Sequence, residues 1–432
     1  MKVLSIRRSS CLLIGLCLVF SVALDSSVVE AKKDKCEGTK KQRKQKMAER
    51  DLTKEQLEEM IAKYKTEILA DYAQMSETAF QRLEREYEEH QKTGAPFVYD
   101  ILVISGGGAK GAFGAGFLEG WGTVTTAGYE RPEFDMVTGV STGALIAPFA
   151  FIGTDEAYAS VVNFYANPEP NWVKKRGAFA FLPKHVSMMN TCHLQDTIRE
   201  NVSGPLVEAI AAGSAENRLL LIGVTNLDVG VGRAIDTGRD AQEAVDSGNF
   251  DRIHSALLAS SAIPGAFPPI EIDGMYYADG GATSNVFIAS FPGPDGPMAR
   301  FKTRHPDAPL PKVRVWVLVN QQLKPQHAIT QPKWISISAR ALGTLTSTTQ
   351  LFALTWIKDM VKEAREERGL EAELHLISIP MDAPKKKTKE MFDQEYMLAL
   401  EELGRKMGAD PSNWTTEVPS AYRVEGEWLE AE

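Results

Sequence analysis

Cysteine is scarce in this chain. Of the four cysteines among 432 residues, Cys11 and Cys17 fall in the N-terminal apolar stretch, which leaves Cys36 and Cys192 for the remainder. Neither of these two stands in a C-x-x-C or another metal-ligand spacing, which argues against a zinc or iron–sulfur site. They could form one disulfide in an oxidising compartment or remain two free thiols, and the sequence leaves both possibilities open.

Positive charge is also in short supply. The 48 Lys and Arg residues are outnumbered by 57 Asp and Glu, so the formal net charge is −9. Such a balance argues against a general nucleic-acid partner. The chain also lacks a long apolar run at its start, because Cys11–Leu24 has only 14 residues. A permanent membrane-crossing helix needs about 20.

The first 31 residues have the pattern of a signal peptide. Basic residues precede the apolar run, a polar stretch follows it, and Val29 and Ala31 occupy the −3 and −1 positions of a cleavage site after Ala31. We therefore expect an exported protein, periplasmic or secreted. The alternative is a protein anchored in the membrane by the uncleaved segment.

Residues 32–96 divide into two parts. Residues 32–50 carry nine Lys or Arg against three Asp or Glu, which predicts a solvated, disordered arm that could attract anionic lipid head groups. From Thr53 to Lys92, apolar residues recur at three- and four-residue steps, and Thr53 with Gln56 forms a capping-box pair. We expect a helix or helix pair that packs against the main domain or against a second copy of the chain and ends before Gly94.

Beyond Pro96, buried-strand runs alternate with helical stretches, as is typical of an α/β domain. We expect three-layer α/β/α architecture with an N-terminal helical extension, in which residues 97–292 form the core and residues 293–432 complete it. The predicted strands are Val98–Ser105, Phe134–Thr138, Leu219–Asn226, Met275–Ala278, Val313–Asn320 and Ala372–Pro380; the predicted helices begin near Ala144, Arg252, Ile335 and Glu390.

Three short motifs contain residues that could take part in catalysis: Gly106–Gly111 (GGGAKG), Gly139–Gly143 (GVSTG) and Asp279–Gly281 (DGG). Each alone is weak in a chain with 34 glycines. In the second motif, Ser141 follows a predicted strand and precedes an apolar helix, so the turn could be a nucleophile elbow. Gly139 and Gly143 would be required where a Cβ would clash. The alternative is a turn whose serine only caps the helix.

The first motif admits two interpretations. Consecutive glycines after a buried strand can direct backbone N–H groups towards one point, as an oxyanion hole requires. The string also fits a dinucleotide-binding turn, but Lys110 occupies a position that usually needs a small residue, and no convincing ribose-binding acid follows. For the third motif, a carboxylate at a strand end could act as a base, although an ordinary Asp-Gly turn looks the same.

In this order, the three motifs resemble the oxyanion, nucleophile and base motifs of the patatin-like phospholipase family, in its bacterial, exported form. Leu257–Pro269 and Thr225–Asp228 are similar to further family segments. The resemblance covers Ile101–Phe291 well and the following stretch more loosely. Gly281 departs from the family's commoner alanine. Lys110 stands where arginine is common, which keeps the cation but loses the planar fork.

The resemblance implies a serine lipid-acyl hydrolase with a Ser141–Asp279 dyad, without metal or cofactor. Ser141 would form an acyl-enzyme, and Asp279 would take its proton directly, for which its pKa should be raised. Phospholipid or another lipid ester would be the substrate, with peripheral membrane contact possible. The supporting glycines and lysine are Gly106, Gly107, Gly108, Lys110 and Gly111 around the oxyanion, Gly139 and Gly143 beside the nucleophile, and Gly280 and Gly281 after the base.

Several alternatives stay open at this level. The same acyl-enzyme could serve an acyltransferase, and any of six histidines after Ser141 could complete a conventional α/β-hydrolase triad. A binding or scaffold protein could retain the fold, with the helix of residues 53–92 as its contact surface. Residues 164–189 mix aromatic and basic side chains and could form a cap over acyl chains, or merely pack on the core.

Overall fold

The computed structural model describes residues 40–169, 171–177, 185–324 and 327–419. The predicted signal peptide, the first part of the basic arm and residues 178–184 of the predicted cap lie outside these ranges. Across the ranges described, no helix combines the length and the apolarity that crossing a bilayer demands. Cys192 is disulfide-bonded, and its partner lies outside the described residues.

An eight-stranded mixed sheet organises the chain. The strands are β1 (Val98–Ile104), β2 (Met136–Val140), β3 (Lys174–Lys175), β4 (Met189–Asn190), β5 (Leu219–Asn226), β6 (Val231–Asp236), β7 (Ile270–Ile272), β8 (Met275–Asp279), β9 (Lys312–Val319) and β10 (Ala372–Ser378). The main sheet has the order β10-β9-β1-β2-β5-β8-β7, with β6 also paired to β5 and β3-β4 forming a separate ribbon. Strands β10, β9, β1, β2 and β5 run parallel, whereas β6, β7 and β8 pair antiparallel.

Helices cover both faces of this sheet. They are α1 (Lys40–Glu49), α2 (Lys54–Thr93), α3 (Gly111–Trp121), α4 (Thr142–Ile152), α5 (Asp155–Ala166), α6 (Cys192–Asn201), α7 (Gly204–Ala215), α8 (Thr237–Ser247), α9 (Asp251–Ser260), α10 (Pro297–Arg304), α11 (Trp334–Glu366) and α12 (Gln394–Gly408). Side chains alternate across β1, because Leu102 and Ile104 join one apolar core while Ile101 and Val103 join the other. The predicted α/β/α fold is therefore confirmed.

Helix α2 matches its prediction closely. Thr53 and Gln56 form the capping box, and Gly94 ends the helix in the left-handed conformation, with φ of 74°. Its buried residues, including Met75 and Leu83, join the core that α10 and α11 share. The buried Arg82 guanidinium also binds Asp135, just before β2, at 2.6 Å. The extension is thus an integral part of the domain.

The disordered arm was predicted wrongly for the part that is described. Residues 40–49 form helix α1, and its lysine Lys46 pairs with Glu271 at 2.6 Å. Arg50 binds Asp228 and lies 3.8 Å from the centre of the Tyr276 ring. These acidic and aromatic partners come from segments more than 170 residues away, and a local count of charges cannot reveal them.

Helix α3 packs unusually close to α12. A Cβ placed on any of four glycines would lie 2.1–2.2 Å from a carbonyl oxygen of the opposite helix: Gly116, Gly120, Gly404 and Gly408. Only glycine permits such contact between two main chains. The predicted oxyanion motif Gly106–Gly111 lies between β1 and α3, and its last residue, Gly111, begins the helix.

Candidate active site

Ser141 lies on a sharp turn between β2 and α4. Its φ of 55° and ψ of −123° are strained for a residue with a side chain. Gly139 and Gly143 make the turn possible, since a Cβ on Gly139 would lie 2.4 Å from the Gly143 carbonyl oxygen. A Cβ on Gly143 would lie 2.3 Å from the carbonyl oxygen of Ile104. The geometry is that of a nucleophile elbow, with the serine at the N-terminus of an apolar helix.

The backbone of Ser141 is held by a second serine. The Ser141 N–H donates to the Ser260 hydroxyl oxygen at 2.9 Å, and that hydroxyl donates to the Gly223 carbonyl at 2.7 Å. Ser260 is fully buried at the end of α9. It therefore connects the strained turn to strand β5.

Asp279 occupies the end of β8 and is 6% exposed. Its Oδ1 accepts the Gly281 N–H at 2.8 Å. Burial raises the pKa of Asp279 to about 6, against the lowering effect of the nearby Ser141 side chain and of the Gly281 N–H. The shift has the predicted direction and suits a general base near neutral pH.

Glycines also allow the base strand to approach its neighbour. A Cβ on Gly280 would lie 2.4 Å from the Gly223 carbonyl oxygen, so this position requires close backbone contact. Thr225, on the neighbouring strand β5, donates its hydroxyl to the Asp279 carbonyl at 3.0 Å. Gly281 contributes the N–H that the carboxylate accepts, a role that alanine could also fill.

The loop after β1 lies directly against the nucleophile. A Cβ on Gly106 would lie 2.9 Å from the Ser141 Cβ. The Gly106 N–H is already used, since it donates to the Asn285 carbonyl at 3.2 Å, and the Lys110 N–H donates to Gly107. In the part of the chain that the structure describes, the N–H groups of Gly107 and Gly108 have no protein acceptor.

The five predicted oxyanion residues thus differ in what they can do. Gly107 and Gly108 have available N–H groups. The Gly106 N–H is engaged with Asn285, and the N–H groups of Lys110 and Gly111 are engaged within the loop. Gly111 has a packing role, because a Cβ there would lie 2.2 Å from the Thr142 hydroxyl oxygen. Lys110 contributes a half-buried cation beside the serine, and burial lowers its pKa.

These groups meet in a cavity of about 970 Å³. Gly107, Gly108, Lys110, Ser141 and Asp279 line it, so the structure brings the predicted catalytic and oxyanion residues together. Apolar side chains complete much of the wall: Ile263, Leu342, Ile379, Met381 and Met391. The cavity therefore combines a polar reaction centre with surfaces suited to hydrocarbon.

Histidine reaches this cavity at one described position, His327. His193 pairs with Glu169, and His254 bonds the Val202 carbonyl at 2.8 Å. His305 pairs with Glu84 at 2.9 Å, and His375 stacks on a buried tryptophan. As for metal, the described residues contain no group of three or more His, Cys, Asp or Glu that could hold an ion.

Sequence reasoning missed the residues that support the loop and the turn. The Asn320 side-chain amide donates to the Ser105 carbonyl at 2.9 Å, and its backbone N–H donates to the Ser105 hydroxyl at 2.8 Å. The Asn285 amide donates to Gln350, in addition to its backbone bond with Gly106. Asn320 directly follows a parallel strand, at the sheet edge where sites gather, and this position was the available signal.

Comparison with known proteins agrees with the motifs. The family model described as patatin-like phospholipase matches residues 102–292, which confirms the family resemblance and indicates a lipid hydrolase family. The crystal structure of VipD from Legionella pneumophila is a structural neighbour with 12% identity, covering 74% of this chain and 68% of that one. Its TM-score of 0.33 carries no argument about function. No curated protein sequence matches this chain.

Proposed function

With residues 102–292 matching the patatin-like phospholipase family, we propose that this chain is a serine hydrolase of carboxylic esters in lipids. One observation carries the proposal: Ser141, on its strained turn, and the buried Asp279 line one cavity with Gly107 and Gly108, whose N–H groups have no acceptor among the described residues. This constellation holds a nucleophile, a base and oxyanion donors in one cavity.

In the acylation step, the Ser141 Oγ attacks the ester carbonyl carbon while its proton passes to Asp279. Negative charge develops on the carbonyl oxygen, and the N–H groups of Gly107 and Gly108 stabilise it. The carbon–oxygen bond to the alcohol then breaks. Asp279 returns the proton to the leaving alkoxide, so the alcohol departs neutral and the acyl group remains on Ser141.

Deacylation repeats the same chemistry with water. Asp279 takes a proton from a water molecule, whose oxygen attacks the acyl carbon. The bond to Ser141 breaks, Oγ regains a proton from Asp279, and the carboxylic acid is released. A pKa of about 6 leaves Asp279 mostly ionised at neutral pH yet basic enough to accept these protons.

Phospholipids or lysophospholipids are the substrates we propose. The apolar cavity wall gives an acyl chain a surface, and Lys110 places a cation near the reacting ester. The lysine could pair with a phosphate or a fatty-acid carboxylate. Product analysis with mixed phospholipid vesicles would identify the head group and the ester position attacked.

The decisive experiment is hydrolysis of a short-chain nitrophenyl ester. Wild type should turn over the ester, and Ser141→Ala should reduce kcat at least about a thousandfold. Asp279→Asn should cause a large loss as well, because the remaining amide cannot accept the proton. Equal rates for wild type and Ser141→Ala would end the enzymatic hypothesis.

His327 provides the test of the rival histidine mechanism, since it lines the same cavity. A dyad predicts that His327→Asn keeps kcat within about threefold of wild type, because its ring takes no proton. A loss comparable to that of Asp279→Asn would instead favour a triad. His193→Asn, far from the reaction centre and paired with Glu169, is the matched control.

We also propose that the mature protein functions outside the cytoplasm after cleavage behind Ala31. The disulfide at Cys192 supports an oxidising compartment, where such bonds persist. Fractionation of cells with N-terminal sequencing would test this. A mature chain beginning at residue 32 in the soluble exported fraction is expected, and an intact N-terminus in the membrane fraction would favour the anchored alternative.

A further inference from the structure

The first three turns of α11 are exposed although they are apolar. We call residues 334–345 the docking segment. Trp334 is 64% exposed, Ile337 53% and Leu345 61%, whereas the buried residues of α11 begin at Gln350. A helix gains most of its stability from an apolar face packed on other groups, and this segment leaves its large apolar side chains uncovered. Its large apolar side chains therefore face solvent in the isolated chain.

The residue composition of the docking segment limits the kinds of surface that could cover it. Arg340 is its one ionisable residue, and the segment also contains Ile335 and Leu342. Twelve residues are too few to cross a bilayer, for which about 20 are needed. A short apolar helix with a tryptophan at its end is suited to lie in the interface between lipid head groups and acyl chains.

The docking segment borders the candidate active site. Leu342 and the following Thr346 line the cavity that contains Ser141 and Asp279. Any surface that covers the exposed side chains of the segment therefore lies next to the cavity entrance. For an ester embedded in a lipid layer, this arrangement shortens the path from the layer to the nucleophile.

Charge at the same cavity favours an anionic layer. Lys324, Lys385 and Lys386 line it together with Lys110, and Asp279 is the only carboxylate in that lining among the residues described. This cluster of cations stands out in a chain whose formal net charge is −9. Each lysine near an anionic lipid surface strengthens binding to it by about fivefold.

We propose that the docking segment inserts into an anionic phospholipid surface and that Lys324, Lys385 and Lys386 contact its head groups. This proposal adds a membrane-docking surface to the proposed lipid hydrolase and rests on that proposed function. Docking itself can be measured without catalysis. Coverage of the docking segment by a second copy of this chain, or by another protein, would contradict the proposal.

The test uses full-length Ser141→Ala protein, so that vesicles stay intact. Binding to vesicles of equal parts phosphatidylglycerol and phosphatidylcholine is measured by co-sedimentation. The variant Ile335→Asp/Leu345→Asp places charge on two exposed positions and should weaken the partition constant by about tenfold or more. Leu69→Asp is the matched control, since Leu69 is 60% exposed on another long helix, and it should bind as the parent does.

Two further measurements separate the apolar and charged contributions. Vesicles of phosphatidylcholine alone, or high salt, should weaken binding of the parent by about tenfold. Brominated acyl chains should quench tryptophan fluorescence in the parent and less in Trp334→Phe, which reports insertion of this end of the helix. All these positions are exposed, so circular dichroism should show an unchanged fold.

Equal binding by the parent and the double aspartate variant would overturn the proposal. The proposal would also fail if the parent formed a dimer without lipid and the double aspartate variant did not. A second copy of the chain would then cover the docking segment. With Ser141 present, the double variant should keep its rate on the soluble nitrophenyl ester and lose activity on vesicles. If no version hydrolyses the soluble ester, the proposed function fails while the binding result still decides docking.

Discussion

The Ser260 hydroxyl accepts a hydrogen bond from the Ser141 backbone N–H at 2.9 Å and donates one to the Gly223 carbonyl at 2.7 Å. A single buried side chain thereby satisfies the donor of the strained turn and fixes that turn to the central sheet. Ser260 touches neither a substrate position nor the carboxylate, so it acts on the reaction by positioning the nucleophile.

Ser260→Ala should lower kcat about 10- to 100-fold, because it leaves the Ser141 N–H buried without a partner and lets the turn shift. KM should change little, since the cavity wall is intact, and the midpoint of the pH profile should stay in place. Steady-state kinetics on a soluble ester would check this. Ser261→Ala is the control: that hydroxyl bonds only the Leu257 carbonyl and should be neutral. A matching loss in both variants would contradict the positioning role.

The rate should depend on the ionisation of Asp279. Because the base must be unprotonated and its pKa is raised to about 6, kcat/KM should rise with pH, reach half its maximum near pH 6 and level off above pH 7. Product should be quantified after quenching at one fixed pH, which removes the titration of the leaving group. A midpoint near pH 4 would mean that burial does not perturb this carboxyl.

The same shift has a cost in stability. A carboxyl whose folded pKa exceeds its unfolded value binds more protons when folded, so stability falls as pH rises from about 4 to about 6. Asp279→Asn removes this penalty and should raise the free energy of unfolding at pH 7 by about 1–3 kcal/mol. Urea denaturation at pH 7 and pH 4 would measure it. The gain should vanish at pH 4, and a variant destabilised at pH 7 would refute the argument.

A buried ion pair helps to hold the N-terminal extension on the domain. Arg82→Met would leave the Asp135 carboxylate, which is 3% exposed, without its partner at 2.6 Å. The free energy of unfolding should fall by about 3 kcal/mol. Arg85→Met, exposed on the same helix, should change it by less than about 0.5 kcal/mol. Equal stability of the two variants in chemical denaturation would show that the Arg82–Asp135 pair does not help to hold α2 in place.

Much of the fold could be predicted because its signals are local. Strand β5 has the predicted bounds, and the capping box of α2 places its start at the predicted residue. Apolar periodicity and turn residues can be recognised within a few consecutive positions, whatever the rest of the chain contains. The predicted strand before Ser141 is shifted by two residues in the structure, which is ordinary for element ends that tertiary contacts decide.

The missed features are non-local. Ser260 and Asn320 act through partners 119 and 215 residues away, and an isolated serine or asparagine carries no sign of such a bond. The same reason explains the wrong prediction for residues 40–49, where Lys46 pairs with Glu271, 225 residues away. Several helices were also missed. Helix α7 is rich in alanine and glycine and has weak apolar periodicity, and α8 has Val245 as its one large apolar residue.

Strand β1 forms hydrogen bonds with β9 along its whole length, and the glycine face of α3 lies against α12. Both partners lie beyond residue 292, where the family match stops. A fragment cut at that point would expose a bare sheet edge and an uncovered helix groove directly behind the oxyanion loop. This fragment would contain all three motifs but would aggregate, because the fold also needs β9 and α12, which lie beyond the residues that the family model matches.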